Sequence, residues 1–415
     1  MKILVIAPRF PSLTQPWIET YLEQLKVNNI DFSIYTSIDT PEKYSIKVKK
    51  LKLLDHKLEN RITTPFIIGY YIRRLLKSPV ESIKTIFPIA QTACRLAPDT
   101  RSKIISSLLL FYFSGAERSY DGITHIHSHS EIGAYLFLHL AIIRKIPILL
   151  TFHGLLPEGV KHIDPRKRTI LFKNIDLVLT NTEFAKKQAI SIGADPHTTK
   201  ILPQGLPMEE FPYLPAKLPA GNEPIRILSV GRFHRQKGHA YSLLSAKRLK
   251  KLGVPFHWTF VGGGPHLEYF LKLKEILELD NEVEFLTEMD QAELQPLFQN
   301  THIFVLASLQ YNLDQWNETQ GVVLQEAQAS GCLVIATEVG GVPECVNHGK
   351  DARLVRPRSS RAIFEAMCFY IDNPDKWSSY PDAGLENVKN NFSADVIGQK
   401  VATILHNIAG NNCTS

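Results

Sequence analysis

Cysteine is scarce: five in 415 residues (Cys94, Cys332, Cys345, Cys368, Cys413), with no paired spacing. That argues against a disulfide framework and a cysteine-based zinc site, and fits the reduced thiols of a cytosolic protein. Long apolar runs are missing as well. None approaches the roughly 18 residues a spanning helix needs. The opening MKILVIAPRF is too short an apolar run for a signal peptide, with Pro8 following at once. What remains, 44% hydrophobic and 21% charged, is the make-up of a water-soluble globular chain. At this length one core is not enough, so two domains are expected.

The net charge of +6 is unevenly spread. Residues 1–205 hold 28 Lys and Arg against 17 Asp and Glu, while 206–415 hold 19 against 24. Most of the excess lies in 41–120, with 15 basic residues against 6 acidic, beside apolar runs such as TPFIIGYYIRRLL and KIISSLLLFYF. Basic and aromatic helices of this kind can touch an anionic membrane surface or an anionic acceptor. Solvated helix faces over an ordinary core explain them equally well.

Short β-branched runs punctuate both halves. KILVIAP, FSIYTS, THIHSHS, IPILLTFHG, DLVLTNT and TKILPQG are followed by IRILSVGRF, FHWTFVGGG, VEFLTEM, HIFVLAS, CLVIATEVGG and ARLV. Four to six apolar residues without clean alternation predict parallel strands covered on both faces, and helical stretches between them predict βαβ units. GLPMEEFPYLPAKLPAGNEP (205–224), with five prolines, reads as an extended linker. The expectation is α/β: two Rossmann-like, doubly wound parallel-sheet domains facing across a cleft, 1–205 and 206–392. In such sheets ligands sit beyond the carboxyl ends of the strands. Arg9, Thr14, His127, His129, His153 and Asn181 lie there in the first half, and Arg232, Lys237, Gly262 to Gly264, Glu288, Glu318 and Gly340 to Glu344 in the second.

Two stretches carry the chemistry. In VGRFHRQKGH a strand ends at Gly231 and a helix follows, so Arg232 and Lys237 flank a loop leading to free amides, which suits a diphosphate. A plain charged surface loop reads the same way when taken alone. The Gly-rich turn VGGGP around Gly263 adds little by itself. In ETQGVVLQEAQASG, Glu318 precedes a helix that stops at Gly331, and Glu326 falls in its second turn among Val322, Val323, Ala329 and Ser330. A carboxylate among apolar neighbours is costly unless something bonds it. Hydroxyls, an amide or a cation would serve, and the amides from Gly321 to Leu324 form a second anion-binding helix start. The pattern fits a sugar-nucleotide site.

The Glu318/Glu326 pair, the small-residue helix and GGVPE resemble the retaining GT-B glycosyltransferases, and most closely family four, the group 1 type. The looser pieces APRFPSLTQPWI, HIHSHS, TFHG, LTNTEFAKK, ILPQGL, VGRFHRQKG and VGGGP extend the likeness over nearly the whole chain. It is most similar to bacterial enzymes of exopolysaccharide, O-antigen and capsule assembly. The resemblance implies transfer of a hexose from a UDP- or GDP-sugar to a saccharide acceptor, lipid-linked, in the cytoplasm or at the inner face of the cytoplasmic membrane. Arg232 and Lys237 would hold the diphosphate. Glu318 would hold sugar hydroxyls, Glu326 the ribose, and the amides of Gly321, Val322 and Val323 the distal phosphate. Glu288 and Met289 would border the base, and His153 the sugar from the opposite domain. Phe10, Thr14 and Gln15, with His127 and His129, would face the acceptor. The departing phosphate would take the acceptor proton in a front-face reaction, with no metal or other cofactor, and the chain contains no Asp-x-Asp pair. A tail helix at about 393–410 would pack back on the first domain. LTQPWI, QYNLDQWN and GKDARLV depart from the family pattern, so Asp314, Trp316 and Asn317 are candidates for tuning donor choice.

Other readings stay open at this stage. His125, His127 and His129 alternate along a strand and share a face, as a metal-dependent hydrolase could use, although one core histidine beside one or two site histidines also fits. An epimerase on the same scaffold needs no second substrate. A phosphorylase needs a marked lysine for pyridoxal phosphate, and none stands out. A non-catalytic sugar-nucleotide binder would have little use for so complete a set of charged residues. Nucleic acid has only the basic first half in its favour, with no recognised module.

Overall fold

The computed structural model describes residues 1–10, 16–39, 76, 91–92, 122–156 and 162–411. Thr14, Gln15 and nearly all of the basic 41–120 stretch lie outside the described residues. Each of the twelve apolar runs contains a strand: β1 (Lys2–Phe10), β2 (Asp31–Asp39), β3 (His125–Ser128), β4 (Ile148–Phe152), β5 (Leu177–Thr180) and β6 (Thr199–Ile201), then β7 (Ile225–Val230), β8 (Phe256–Val261), β9 (Val283–Leu286), β10 (Ile303–Leu306), β11 (Leu333–Thr337) and β12 (Arg353–Val355). They form two six-stranded sheets, ordered β2-β1-β3-β4-β5-β6 and β12-β11-β10-β7-β8-β9. Every strand pairing is parallel. Residues of β3, β4, β10 and β11 are buried throughout, which is why their sequences run apolar instead of alternating.

Both sheets reverse direction once. The chain runs from β1 to β2 on one side and resumes at β3 on the other, and it repeats the move with β7 to β9 and then β10. The reversals leave crevices between β1 and β3 and between β7 and β10, where loops part and a ligand can enter. Under each sheet lies its own core. Phe137, Leu138, Leu150 and Leu171 are fully buried in the first, and Trp258, Phe260, Phe270 and Tyr370 in the second. Each buried phenylalanine contributes roughly 2–3 kcal/mol by transfer from water.

The chain divides into two compact units, Met1–Thr180 with Lys186–Leu202 and Gly398–Ser415, and Asn181–Ala185 with Pro203–Ile397. The C-terminal helix Ala394–Asn411 therefore belongs to the second unit only in its first turn. Gly398 onward joins the first, where a β-carbon on Gly398 would stand 2.3 Å from Gln24 Oε1.

The expected linker is corrected by the structure, because it is built into the second unit. Leu206 N–H donates to Phe392 O, Leu214 N–H to Ser330 O and Ala216 N–H to Gly331 O, and Phe211 is 1% exposed. Its prolines set the extended backbone, and the carbonyls at the end of the helix Val322–Ser330 supply partners for its amides. Gly331 closes that helix at φ 91°, and any β-carbon there would strike Leu214 O at 2.7 Å.

Candidate active site

The second unit's site assembles at the crevice between β7 and β10. After β7 the chain makes a single 3-10 turn, Arg235–Lys237, whose start is capped by the His234 side chain and whose end is Gly238 at φ 68°. Only glycine fits at 238, since a β-carbon would lie 1.9 Å from Ala307 O. Buried His239 donates from Nε2 to Arg232 O at 3.1 Å and so ties the loop to the helix that follows. Burial pushes the His239 pKa down to about 4, so it stays neutral in that role.

Lys237 is thereby aimed at the end of β10. Its Nζ donates to Glu318 Oε2 at 2.6 Å, with side chains only 17% and 12% exposed. Ser308, just past β10, donates to the same oxygen at 2.9 Å. The Lys237 ammonium also lies 5.4 Å from the centre of the Trp316 ring. Glu318 is gripped through its backbone as well. Gly341 N–H donates to Glu318 O at 2.8 Å, and Gly340, at φ 53°, packs so close that a β-carbon would stand 2.0 Å from that same oxygen. The paired glycines of GGVPE are thus a steric requirement of the Glu318 loop. Arg232 is exposed beside the crevice.

The polar stretch before Glu318 is an ordered loop. Asn317, 2% exposed, accepts from Tyr311 N–H at 2.8 Å and donates to Asn312 O and Gln315 O. Gln310 accepts from Gly340 N–H at 2.9 Å, which joins this loop to the glycine pair. Trp316 sits over Lys237 because Asn317 fixes the chain on either side of it.

Glu326 lies in the helix that starts at Gly321, 8% exposed, and takes one side-chain hydrogen bond, from Gln291 Nε2 at 3.1 Å. Burial pushes its pKa up to about 7. The Gln291 bond opposes the shift and the Glu210 charge, in the former linker, adds to it. Val322 and Val323 are half-buried and pack with Met289 on one hydrophobic cluster. The Leu324 amide is spent on Gly321 O at 2.8 Å, so the expected four-amide start narrows to Gly321, Val322 and Val323. Gly263 is a crowded position, where a β-carbon would meet Glu288 Oε1 at 2.6 Å, whereas one on Gly231 would make only ordinary contact with Lys237 methylenes at 3.6 Å. Of the donor-side residues read from the sequence, the structure brings Lys237 to Glu318 and Gly263 to Glu288, and it sets Met289, Val322 and Val323 against one hydrophobic cluster. Ser308, Gln291, Gln310 and His239 are additions that no spacing signalled. Arg353, unexplained by the sequence, lies 4.2 Å from the centre of the Phe369 ring.

The first unit's cluster lies at the other crevice. Helix Pro16–Val27, after β1, brings Trp17 and Tyr21 to the histidines of β3 and to His153 beyond β4. His127, 1% exposed, is bonded on both ring nitrogens, to Tyr21 Oη at 2.6 Å and Thr151 Oγ1 at 2.8 Å. No nitrogen is left for an acceptor, which corrects that expectation. His129 Nδ1 is 3.3 Å from His153 Nε2, and the two rings are stacked. Trp17 covers His153 at 4.1 Å between ring centroids. Phe10 is a core residue, 1% exposed, which likewise removes it from acceptor contact. Burial pushes the pKa of both His127 and His153 down to about 3 and that of His129 well below its usual value. Among the described residues, no three His, Cys, Asp or Glu side chains converge as metal ligands. Likewise among the described residues, no helix is long and apolar enough to cross a membrane.

Two parallel doubly wound sheets, with glycine-lined charged loops at a switch point, define the GT-B class of protein. Solved structures of that fold are similar over almost the whole chain. HepE of Anabaena in complex with UDP-glucose superposes with a TM-score of 0.72 at 14% identity, covering 98% of this chain and 100% of HepE. A glycosyltransferase of Rickettsia africae superposes at 0.69 and 20% identity, covering 98% of each chain. In sequence, the family described as "Glycosyltransferase Family 4" matches residues 87–210, and "Glycosyl transferases group 1" matches residues 211–384 without a gap between them. The chain belongs to this group 1, family 4 kind of glycosyltransferase. WcaL of Escherichia coli, named for colanic acid biosynthesis, is 27% identical over 270 residues, 64% of this chain and 65% of WcaL. AmsK of Erwinia amylovora, an amylovoran biosynthesis glycosyltransferase, is 26% identical over 243 residues, 58% of each. The matched stretch thus spans just under two thirds of WcaL.

Proposed function

We propose that the chain moves a hexosyl group from a nucleotide-sugar, with UDP or GDP as the carrier, to a lipid-linked saccharide acceptor during assembly of a bacterial surface polysaccharide. The observation that carries this reading is the Lys237–Glu318 contact at the β7/β10 crevice. That contact supports a role for the cation at a departing diphosphate and for the carboxylate at sugar hydroxyls. Both Lys237 and Ser308 use Oε2 of Glu318, which makes Oε1 the oxygen for a hydroxyl of the sugar. Glu326 takes the ribose hydroxyls, whose O–H donors favour its ionised form. The amides of Gly321, Val322 and Val323 take the distal phosphate, while Glu288 and Met289 border the base. His153 serves the reacting sugar.

In the reaction the acceptor oxygen bonds to the anomeric carbon as the bond from that carbon to the diphosphate breaks. The departing diphosphate takes the acceptor proton, and the configuration is retained. Arg232 and Lys237 stabilise the growing negative charge, work that preorganised cations do best in a site poor in water. Support for the substrate class comes from the names of WcaL and AmsK and from the UDP-glucose bound to HepE. A mannosyltransferase among the relatives, named as GDP-mannose-dependent, keeps guanosine in play. The test is thermal shift and nucleotide release across UDP- and GDP-sugars, with EDTA present. A donor that raises the melting temperature and is slowly hydrolysed supports the reading. Silence across the panel, or turnover that needs added manganese, would overturn it or its metal-free part.

A further inference from the structure

His129 is buried, 6% exposed, and its two ring nitrogens have different surroundings. Nδ1 faces His153 Nε2 at 3.3 Å, while Nε2 is buried with no hydrogen-bond partner among the described residues. Rings close the space about it: Tyr21 at 4.9 Å, His127 at 4.6 Å, Trp17 at 5.1 Å and His153 at 5.6 Å between centroids. A neutral imidazole carries one proton. On Nε2 it would be a buried N–H without an acceptor, an arrangement native structures nearly always avoid, whereas a bare nitrogen lone pair is tolerated more often. The proton therefore sits on Nδ1 and is donated to His153 Nε2. That bond in turn leaves the proton of His153 on its Nδ1.

We infer that His129 is a positioning residue, which fixes the tautomer and ring orientation of His153 so that His153 presents Nδ1–H as its donor. The consequence for turnover rests on the glycosyl-transfer reading above; the tautomer itself does not. The titratable groups around the pair are His127, in turn held by Tyr21 and Thr151, and His125 further along β3. Burial keeps the three rings His127, His129 and His153 neutral near pH 7, so an exchange of tautomers, with no change of charge, is what His129 decides.

The test compares His129→Asn with His129→Phe in the full chain. The asparagine amide stands about where Nδ1 stands and can still donate to His153, whereas phenylalanine keeps the bulk and removes the donor. With 15N-labelled histidine, long-range proton–nitrogen spectra read the His153 tautomer directly. Wild type and His129→Asn should show His153 protonated on Nδ1, and His129→Phe, with no donor left to hold that tautomer, should populate both. With a donor sugar identified, His129→Asn should turn over roughly tenfold faster than His129→Phe, about what one hydrogen bond to a reacting group's partner contributes. An Nε2-protonated His153 in wild type, or a tautomer indifferent to both substitutions, overturns the inference. If His129→Phe fails to fold, the wild-type and asparagine spectra decide it alone. If no nucleotide-sugar is turned over by wild type, the transfer reading fails while the spectra still judge His129.

Discussion

The two units each reverse a parallel sheet once, after two strands in the first and three in the second, and they put opposite chemistry at the reversal. At the β7/β10 crevice the second unit sets Lys237, Glu318 and Arg232, with Glu326 one helix turn further in. At the β1/β3 crevice the first unit sets Trp17, Tyr21, His127, His129 and His153, a stack of rings that burial holds uncharged. A parallel sheet supplies the opening in both cases, and the side chains beyond the strand ends decide what can be done there. On the proposed reading, charge is kept where charge is to develop, and neutral rings where a sugar is to be held.

The sharpest test of that contrast is Lys237→Ala. If the second unit works through charge, turnover should fall by roughly 100- to 1,000-fold, as when one preorganised donor to a transition state is lost. Binding of the intact donor should suffer less, because a group facing developing charge contributes mainly in the transition state. The substitution also strands Glu318, so the melting temperature must be followed alongside. Lys237→Ala combined with Glu318→Gln removes the stranded charge and should regain stability but no activity. If the single variant turns over donor at near the wild-type rate, the cation is not at the reacting diphosphate.

Next in size is the backbone clamp on Glu318. Gly340→Ala forces a left-handed alanine and a β-carbon 2.0 Å from Glu318 O, so we expect a loss on the order of 3 kcal/mol in urea unfolding. Any folded fraction should bind donor poorly, since the Glu318 loop has to move. An alanine variant with wild-type stability and donor affinity would show that the loop is looser than its contacts indicate.

Acid should separate the units. In the first, five described histidines (His125, His127, His129, His139 and His153) are held below their ordinary pKa, against His239 and His302 in the second. A histidine depressed on folding stabilises the fold fully above its unfolded pKa near 6.5, and that contribution is lost as pH falls toward the folded value. For His127 or His153, at about 3, the loss between pH 7 and pH 5 is about 2 kcal/mol each, with the neighbours coupled. Glu326 runs the other way: its folded pKa is raised to about 7, so its contribution is full below the ordinary carboxyl value and fades as pH rises toward 7. Hydrogen exchange at pH 5 should therefore open β3 and β4 before β10 and β11. Equal protection across both sheets at pH 5 would remove the electrostatic half of the comparison.

Much of this architecture could be read from the chain, for a physical reason. Strands buried on both faces write themselves as unbroken apolar runs, and every one of the twelve runs became a strand. Gly331 ends its helix at positive φ as its position implied. The pairing of Lys237 with Glu318 was not legible, since 81 residues separate them and only the β7/β10 register brings them together. Ser308 and Gln291 carry no spacing signal at all, because each acts through a single hydrogen bond made across the fold. His127 misled for a similar reason. The i, i+2 pattern puts it on a face with His129, but the pattern says nothing about Tyr21 and Thr151 already occupying its nitrogens. The proline-rich stretch read as a linker for want of any sign that the carbonyls at the end of a distant helix would pair with it.

The smallest effect is the most discriminating about Glu326, a buried carboxylate that takes its side-chain hydrogen bond from an amide instead of a cation. Its Oε1 accepts from Gln291 Nε2, a bond that favours the ionised form. Gln291→Leu removes the donor at nearly constant volume, so the Glu326 pKa should rise further. Below pH 6 the carboxyl is already protonated in the folded chain, and the variant should lose little. At pH 8, where the wild-type group is ionised, the same variant should lose about 1 kcal/mol, the usual net worth of one such bond. Donor binding should suffer in the same direction, because ribose hydroxyls are held best by the carboxylate. A stability loss equal at both pH values would mean that Gln291 matters for packing alone, and that Glu326 finds its counterpart elsewhere.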